Sequence, residues 1–168
     1  MKLKTERLIL SEFTKIDAPF FYELANDPDF IKYIGDRNVN SISDAEKYIA
    51  DNIIPSYTLH GFGFYIVRLK ENGASIGMCG LIKRDWMDYV EIGFAFLTEY
   101  RGKGYAIESS IVTKKYAKEN IGISTLSAIT DVNNEKSGNL LNRLGLEFSR
   151  LINYPGVNKK CRLYLEKN

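Results

Sequence analysis

Metal-binding side chains are scarce in this sequence. It contains one histidine, His60, and two cysteines, Cys79 and Cys161, which lie far apart and form no CxxC pair. A structural zinc site needs about four nitrogen or sulfur ligands at characteristic spacings, so we expect no metal here. Both cysteines lie in strand-like segments, and we expect them to be reduced, buried thiols.

Long apolar runs and a charge of one sign are absent as well. No run approaches the roughly 18 apolar residues of a membrane-spanning helix, and the charged start MKLKTERLIL does not resemble a secretory signal. Lysine and arginine total 23 against 21 aspartates and glutamates, a net charge of +2. This balance argues against direct binding of nucleic acid, which usually requires a concentrated basic surface. We therefore expect a cytoplasmic protein that binds neither nucleic acid nor a membrane.

What is present is the composition of one globular domain. Hydrophobic residues make up 45% of the 168 residues and charged residues 26%, which is typical of a chain that buries a substantial core. We find no internal repeat, low-complexity segment or Pro/Gly-rich linker that would divide the chain. The sequence therefore predicts a single domain, residues 1–168.

Hydrophobic periodicity predicts about seven strands and four main helices, in the order β-α-α-β-β-β-α-β-α-β-β. The predicted strands are 7–13, 62–69, 74–83, 89–97, 123–131, 146–152 and 160–167. The predicted helices are 18–27, 44–53, 104–119 and 133–145. This order is typical of an α/β (α+β) fold in which helices flank a mixed sheet, rather than of a doubly wound parallel sheet.

Local signals predict where the helices begin and end. Capping boxes at Thr14 and Asp17, and at Ser43 and Glu46, indicate two helix starts. Pro55 is expected to kink or close the second of these helices. Further signals are a cap at Asn133 or Asn134, an end at Gly145, and Ile107 and Ile111 on one face of the helix 104–119.

The stretch EYRGKGYAIESS, residues 99–110, joins a predicted strand to a predicted helix. A helix start exposes free N–H groups and the positive end of the helix dipole, and Gly102 and Gly104 allow the backbone to approach a ligand closely. Arg101 and Lys103 add positive charge, so the turn suits a phosphate or pyrophosphate. It is neither a P-loop nor the dinucleotide fingerprint, because Ile107 stands where GxGxxG needs glycine. Turn chemistry alone leaves an ordinary strand-to-helix turn equally open.

Four segments in order resemble the GNAT family of N-acetyltransferases, in particular its ribosomal-protein N-terminal acetyltransferase (Rim-type) branch. They are TERLIL (5–10), VEIGFAFL (90–97), RGKGYAIES (101–109) and NNEKSGNLLNRLGLEF (133–148). The glycine turn is similar to the family's Q/R-x-x-G-x-G/A signature for acetyl-CoA, with Glu99 in place of the first residue. Backbone amides hold the pyrophosphate in that motif, so the departure at Glu99 is expected to affect affinity rather than the site.

The resemblance implies a sheet that splays between its fourth and fifth predicted strands and binds acetyl-CoA as co-substrate, without a metal. In the family the pantetheine arm lies in this opening and pairs with backbone groups of the fourth strand, and a backbone N–H near residues 95–97 serves the thioester oxygen. The cofactor-binding residues that it implies are Phe96, Leu97, Arg101, Gly102, Lys103, Gly104, Tyr105, Ala106 and Asn134. Helix capping alone would also explain Asn134.

The resemblance also implies two catalytic residues. Glu91, in the fourth predicted strand, is expected to take a proton from the acceptor amine, directly or through a water; the alternative is a structural hydrogen-bond acceptor. Ser137 is expected to face the sulfur and to donate a proton or order a water; the alternative is an ordinary first-turn residue. Many GNAT enzymes carry a tyrosine at the position of Leu141. Glu108, the other acid near the turn, has a helix-dipole explanation and is not expected to be catalytic.

The expected function is transfer of an acetyl group from acetyl-CoA to a primary amine by direct attack in a ternary complex. The acceptor is left open between a protein N-terminus, such as that of a ribosomal protein, and a small-molecule amine. A non-catalytic acyl-CoA-binding module of the same fold is the alternative. Trp86 and the loop 153–160 either line the acceptor pocket or have structural roles. The oligomeric state is open between a monomer and a homodimer.

Overall fold

The structure is a computed structural model that describes residues 2–167; Met1 and Asn168, the ends of the predicted domain, lie outside the described residues. The described residues form eight strands in one sheet with the order β1-β2-β3-β4-β5-β6-β8-β7. The strands are β1 (Lys2–Lys4), β2 (Leu8–Glu12), β3 (Phe64–Leu69), β4 (Ser75–Ile82), β5 (Val90–Phe96), β6 (Leu126–Asp131), β7 (Leu146–Asn153) and β8 (Lys160–Glu166). The predicted mixed sheet is confirmed, since β5 and β6 pair parallel and all other neighbours antiparallel. The strand beyond the expected seven is β1, whose three residues are too few to show alternation.

Residues 2–167 also form six α-helices. They are α1 (Ala18–Ala25), α2 (Pro28–Tyr33), α3 (Ile42–Tyr48), α4 (Ile54–His60), α5 (Tyr105–Tyr116) and α6 (Glu135–Leu144). A π-helical turn at Ile49–Ile53 joins α3 to α4, and another at Ala117–Ile121 extends α5. Within the described range, no helix has the length and apolar character needed to cross a membrane.

The helices cover both faces of the sheet, and β5 contributes to both cores. Ala95 and Leu97 belong to the hydrophobic cluster formed with α1, α2 and α3. Ile92 and Phe94 belong to the cluster formed with α5 and α6. Because side chains alternate along a strand, Glu91 shares the face of Ala95 and Leu97. This places the candidate base on the side of the sheet that α1–α4 cover.

Most helix ends follow the predicted signals. Thr14 N–H donates to Asp17 Oδ2 at 2.8 Å, as the capping box predicts. Asn134 Oδ1 accepts from the N–H of Ser137 at 3.2 Å and caps α6, and Gly145 ends that helix with a φ of 88°. The three signals are local, and the structure confirms them.

The signals for α3 and its continuation are corrected. The cap is Ser41 rather than Ser43, since Ser41 is extended and its Oγ accepts from the N–H of Asp44 at 3.0 Å. Ser41 and Ser43 each have an acidic residue three positions later, Asp44 and Glu46, so the capping-box pattern fits both serines. Pro55 does not close the helix: it lies in the first turn of α4, directly after the π-helical turn, and the helical path continues to Gly61.

The face that α5 turns to the sheet differs from the expected one. Ile111 is 56% exposed, whereas Ser109, Ser110 and Thr113 are fully buried. The Sγ of Cys79 on β4 lies 3.7 Å from Ser110 Oγ and 3.5 Å from Thr113 Oγ1. Small hydroxyl side chains let the helix pack closely against this thiol. Of the two isoleucines expected on one face, Ile107 packs against the core and Ile111 does not. Both cysteines are free and buried, as expected.

Candidate active site

The sheet opens between β5 and β6. Their parallel ladder consists of two residue pairs, Val90 with Leu126 and Glu91 with Ser127. On the other edge of β5, pairing with β4 continues as far as Phe96. After Glu91, one edge of β5 therefore faces an opening instead of pairing with β6. The resemblance implies such an opening between the fourth and fifth predicted strands.

Backbone direction distinguishes two predicted contacts at the end of β5. Leu97 N–H donates to Ile76 O at 3.0 Å, and Leu97 O accepts from Tyr100 N–H at 3.0 Å. The backbone pairing predicted for Leu97 is thus taken up inside the protein. Successive N–H groups of a strand point to opposite edges, so Phe96 N–H faces the opening. Phe96 O already accepts from Arg101 Nε at 2.8 Å.

The glycine turn lies directly beyond this end of β5. Gly102 and Gly104 have φ values of 73° and 83°, in the left-handed region that other residues rarely adopt. A Cβ built on Gly102 meets nothing within 4 Å, so open space borders the backbone there. Lys103 is exposed, and Tyr105 and Ala106 form the first turn of α5 with N–H groups that lack intrahelical acceptors. The turn therefore presents amides and a positive dipole end to solvent beside the opening.

Glu91 lies where the β5–β6 ladder ends, and it is a buried ion-pair partner. The residue is 5% exposed, and its carboxylate accepts a hydrogen bond from Arg84 Nε in the turn between β4 and β5. Burial raises the pKa of Glu91, and the Arg84 guanidinium opposes that rise. Glu91 is therefore a buried carboxyl with a raised pKa at the edge of the opening, a feature common at functional sites.

Residues 7–147 match the sequence profile of the family described as "Acetyltransferase (GNAT) domain". The chain belongs to the GNAT family. The resemblance read from the glycine turn is thereby confirmed, and so is the predicted enzyme class, an acetyl-CoA-dependent acetyltransferase.

Relatives of this GNAT chain include two proteins of Bacillus subtilis (strain 168). The uncharacterized N-acetyltransferase YoaA is 28% identical over 147 residues, which cover 86% of this chain and 82% of YoaA. The uncharacterized protein YkkB is 25% identical over 170 residues, which cover 99% of this chain and 96% of YkkB. In both comparisons the likeness thus extends over more than four fifths of each protein.

Solved structures share the fold at lower identity. The ribosomal L7/L12 alpha-N-protein acetyltransferase RimL, solved with coenzyme A, has a TM-score of 0.83 and 15% identity; the match covers 99% of this chain and 97% of RimL. The microcin C7 self-immunity acetyltransferase MccE, solved with acetyl-CoA and AMP, has a TM-score of 0.80 and 20% identity, with coverages of 96% and 93%. Because Rim-type and other GNAT structures match equally well, the fold does not assign this chain to one branch.

Two features of the GNAT opening fit a long polar arm ending in a pyrophosphate. At Gly102 the turn borders open space, and at Gly104 the absent Cβ leaves the backbone uncovered beside the Arg7 guanidinium. On β6, Thr130 would stand opposite Phe94 if the ladder continued in register. Thr130 Oγ1 is buried, and no partner for it exists among residues 2–167. A buried hydroxyl without a partner is unusual in proteins, and it offers a hydrogen-bonding group in this part of the sheet.

Arg101 is held by acidic side chains of α2 instead of projecting from the turn. Its guanidinium lies 2.6 Å from Asp27 Oδ1 and 2.6 Å from Asp29 Oδ2, and its side chain is 32% exposed. The Arg101 N–H donates to Thr98 O at 3.2 Å. In this arrangement Arg101 fixes the turn to α2, and its predicted contact with the cofactor would require the guanidinium to leave these partners.

Ser137 and Asn134 lie together at the start of α6, the helix that follows β6. The Asn134 side chain accepts from Ser137 N–H, so helix capping accounts for the position of Asn134. Ser137 is half-buried in the first turn, and Leu141, one turn further along, is 1% exposed within the core. Leu141 is part of the core cluster that α5 and α6 form with the sheet.

Sequence reasoning missed two arginines of the site. The guanidinium of Arg7 lies 4.5 Å from the Tyr105 ring centroid and donates to Lys103 O at 3.0 Å, bracing the turn from the side of β2. Arg84 pairs with Glu91. No local pattern reveals Arg7, which is 96 residues from Lys103. The hairpin register of β4 and β5 does reveal Arg84, because Ile82 pairs with Glu91 and a residue two positions beyond Ile82 shares its side of the sheet.

Glu108 is explained by the same brace. Arg7 N–H donates to Glu108 Oε1 at 3.0 Å, and the Arg7 guanidinium lies 2.6 Å from Oε2. Burial acts to raise the pKa of Glu108, but hydrogen bonds from Thr5 and Arg7 outweigh it and hold the pKa below its usual value. Glu108 therefore ties α5 to the β1–β2 segment. Across residues 2–167, no group of three or more His, Cys, Asp or Glu side chains is placed to hold a metal ion.

Proposed function

We propose that this protein transfers an acetyl group from acetyl-CoA to a primary amine by direct attack in a ternary complex, in the cytoplasm. The observation that carries the proposal is the exposed glycine turn, with Gly102 and Gly104 in the left-handed region, at the end of a strand that has parted from its neighbour. A helix N-terminus with uncovered amides binds a pyrophosphate, and the parted strands accommodate an extended arm.

The proposed cofactor contacts follow from which backbone groups are free. Amides of the turn from Gly102 to Ala106 bind the pyrophosphate, with Lys103 adding charge at the surface. Phe96 N–H, which faces the opening, pairs with the pantetheine arm. Asn134 is proposed to contact the arm from the start of α6, in addition to capping that helix. Arg101 supports the site by holding the turn against α2.

The proposed chemistry requires an amine without its extra proton and an acetyl group activated as a thioester, which acetyl-CoA supplies when bound. Glu91 takes the proton from the amine, directly or through a water. Its burial suits this role, because a low-polarity environment keeps the proton affinity of a carboxyl high. Ser137, at the start of α6, supplies a hydroxyl on the sulfur side, either donating a proton or ordering a water.

The acceptor amine is proposed at the level of two classes, a protein N-terminus and a small-molecule amine. RimL acts, by its name, on the N-terminus of a ribosomal protein, and MccE is named for microcin self-immunity. Their TM-scores of 0.83 and 0.80 are similar, so shape alone does not favour either class. A ribosomal-protein N-terminus belongs in the first panel of acceptors because the four segments quoted above resemble the Rim-type branch.

The test combines binding with turnover. Acetyl-CoA and CoA at about 100 times their dissociation constants should each raise the melting temperature by roughly 5–10 °C. A panel of N-terminal peptides, polyamines, amino acids and aminoglycosides should then contain an acceptor that releases free thiol from acetyl-CoA. No thermal shift with either ligand would contradict the proposed binding site.

A second candidate function, a non-catalytic acyl-CoA-binding module, is favoured by one observation. Glu91 is 5% exposed and already paired with Arg84, as a purely structural carboxylate would be. Binding of acetyl-CoA without product from any acceptor in the panel would support this candidate. Thiol release that depends on both an acceptor and Glu91 would support the enzyme.

A further inference from the structure

Arg84 is not a freely solvated residue of a polar turn. Its side chain is 23% exposed, and its guanidinium carbon lies 5.9 Å from the ring centroid of Trp86 and 5.4 Å from that of Tyr154. The two rings meet edge to face with their centroids 5.5 Å apart. The β4–β5 turn and the β7–β8 loop thus hold one cation between them, directly beside Glu91.

The hairpin explains why this cation meets that carboxylate. Ile82 and Glu91 are paired across β4 and β5, and paired residues project on the same side of a sheet. Arg84 follows Ile82 by two residues, so its long side chain extends along the side of the sheet where Glu91 lies. Trp86 and Tyr154 close the outer side of the guanidinium, and cation–π attraction favours this position.

The pairing has a chemical consequence for a base. A buried carboxyl without a partner takes up a proton, because burial disfavours the charged form. A guanidinium remains protonated throughout the working range of pH, and an opposite charge at this distance lowers a carboxyl pKa by about 1–3 units. Arg84 therefore favours the ionised form of Glu91, which is the form that can accept a proton.

We propose that Arg84 is a positioning residue for the acetyl transfer: it keeps Glu91 ionised and oriented, and Trp86 and Tyr154 hold it there. The inference rests on the proposed role of Glu91 as base. It also gives Trp86 a function beside the site, where the sequence left a choice between lining a pocket and covering the core.

Other titratable groups near the pair do not replace Arg84. They are Tyr48 on α3, Tyr154 in the β7–β8 loop and Cys161 on β8. A tyrosine side chain carries no positive charge in either protonation state, and burial raises the pKa of Cys161, which favours its neutral thiol. Beyond Cys161, Lys159 is balanced by Asp131 at 2.9 Å. Arg84 is therefore the charged group positioned to set the protonation of Glu91.

The test measures the protonation of Glu91 directly. In protein labelled with ¹³C-carboxyl glutamate, the Glu91 resonance is assigned by its loss in Glu91→Gln and titrated in wild type, Arg84→Gln and Arg84→Lys. The control is Arg68→Gln, since Arg68 makes a comparable pair with Asp17, with side-chain exposures of 29% and 10%, away from the opening. Near-ultraviolet circular dichroism verifies that each variant is folded.

We expect Arg84→Gln to raise the titration midpoint of Glu91 by about 1–3 pH units. Because only ionised Glu91 can accept a proton, the acidic limb of the pH profile of kcat/KM should move to higher pH by the same amount. Arg84→Lys keeps the charge without the planar fork and should give a smaller shift of both. Arg68→Gln should leave both unchanged.

An unchanged Glu91 midpoint in folded Arg84→Gln, or in Arg84→Lys if the glutamine variant does not fold, would overturn the proposal. A rate that falls equally at every pH in Arg84→Gln would also overturn it, since that is the signature of a purely structural residue. A shifted midpoint in a chain that acetylates nothing would uphold the control of Glu91 by Arg84 and contradict the proposed function alone. The titration needs no substrate, so the two failures are distinguishable.

Discussion

At the scale of single residues, Gly102 and Gly104 serve the turn in two ways. Their φ values of 73° and 83° are strained for any residue with a Cβ, at about 1–2 kcal/mol each. The space beside them differs: a Cβ on Gly102 meets nothing within 4 Å, and one on Gly104 lies 3.2 Å from the Arg7 guanidinium. Substitution at either glycine therefore changes the backbone first and the neighbouring contacts second.

We expect Gly102→Val and Gly104→Val to abolish acetyl-CoA binding in isothermal titration calorimetry, because the amides would be turned away and the approach blocked. Lys103→Ala should weaken binding about threefold at most, since exposed charges contribute little in a high-dielectric environment. A larger loss for Lys103→Ala than for the glycine variants would indicate a side-chain clamp in place of a backbone cradle.

Glu91→Gln should lower the rate of acetyl transfer by roughly 10²-fold at neutral pH, the usual range for a general base, and leave the acetyl-CoA dissociation constant unchanged. The rate should partly recover at high pH, where solvent deprotonates the amine. Glu108→Gln is the matched control: it removes a carboxylate that binds Thr5 and Arg7, so it should lower the melting temperature and leave the pH profile unchanged. Full activity of Glu91→Gln together with an inactive Glu108→Gln would contradict the assignment.

At the scale of elements, α2 and the glycine turn are joined through Asp27. This residue caps α2 by accepting from Asp29 N–H at 3.0 Å, binds Arg101 at 2.6 Å and accepts from Thr98 Oγ1 at 2.9 Å. Burial acts to raise the pKa of Asp27, but these partners, Arg101 first, outweigh it and lower the pKa. A helix on the side of the sheet where Glu91 lies is thus tied to the turn proposed for the cofactor.

Asp27→Asn and Arg101→Gln should therefore weaken acetyl-CoA binding to a similar extent, about threefold to tenfold, and each should destabilise the fold by about 1–2 kcal/mol. Both variants break the ion pair that holds the turn against α2. Asp27→Asn does so without removing a positive charge, so it separates this effect from a direct contact between Arg101 and the phosphates. Calorimetry at two salt concentrations and urea unfolding provide the measurements. If Arg101 leaves Asp27 to contact the phosphates, Arg101→Gln will weaken binding much more than Asp27→Asn does and will reduce its salt dependence.

Elements whose signals are local were predictable from the sequence. Alternation predicted the seven longer strands, β2 to β8, within a few residues, and the caps at Thr14 and Asn134 depend on neighbours three residues away. The inner face of α5 was not predictable from apolar spacing, because Ser110 and Thr113 are buried against Cys79 rather than in a hydrophobic stripe. Packing across the sheet decided which face is inside.

The candidate site, too, could be predicted only where its signals are local. The glycine turn and its helix could be recognised because the conformation is encoded in consecutive residues. The partners of Arg101 and Leu97 could not be predicted. They are Asp27 and Ile76, which come close only in the assembled sheet and helices. The same holds for Arg7, whose contact with the turn exists only once β2 lies beside α5.

At the scale of the whole molecule, the carboxylate of Glu166, near the end of β8, connects α5 to β6. Its carboxylate lies 2.7 Å from Lys114 and 2.7 Å from Lys118 on α5 and its π-helical extension, and it accepts from Leu126 N–H at 3.3 Å. The Glu166 side chain is 6% exposed. It thus links the helix that carries the glycine turn to the strand that forms the far side of the opening.

Glu166→Gln should destabilise the protein by about 2 kcal/mol at pH 7, because two partly exposed ammonium groups lose a buried partner. Burial acts to raise the pKa of Glu166, but hydrogen bonds from Lys114, Lys118 and Leu126 outweigh it and lower the pKa in the folded state. The stabilisation is therefore present above the unfolded-state pKa, about 4.3, and is lost as pH falls through the lower folded-state pKa. Urea unfolding between pH 7 and pH 3 should show that the difference in unfolding free energy between wild type and Glu166→Gln shrinks below about pH 4.

The control is Glu147→Gln, which breaks an exposed pair with Lys167 and should change stability by less than about 0.5 kcal/mol at any pH. A difference for Glu166→Gln that stays constant down to pH 3 would show that packing, rather than charge, joins α5 to the β6 edge.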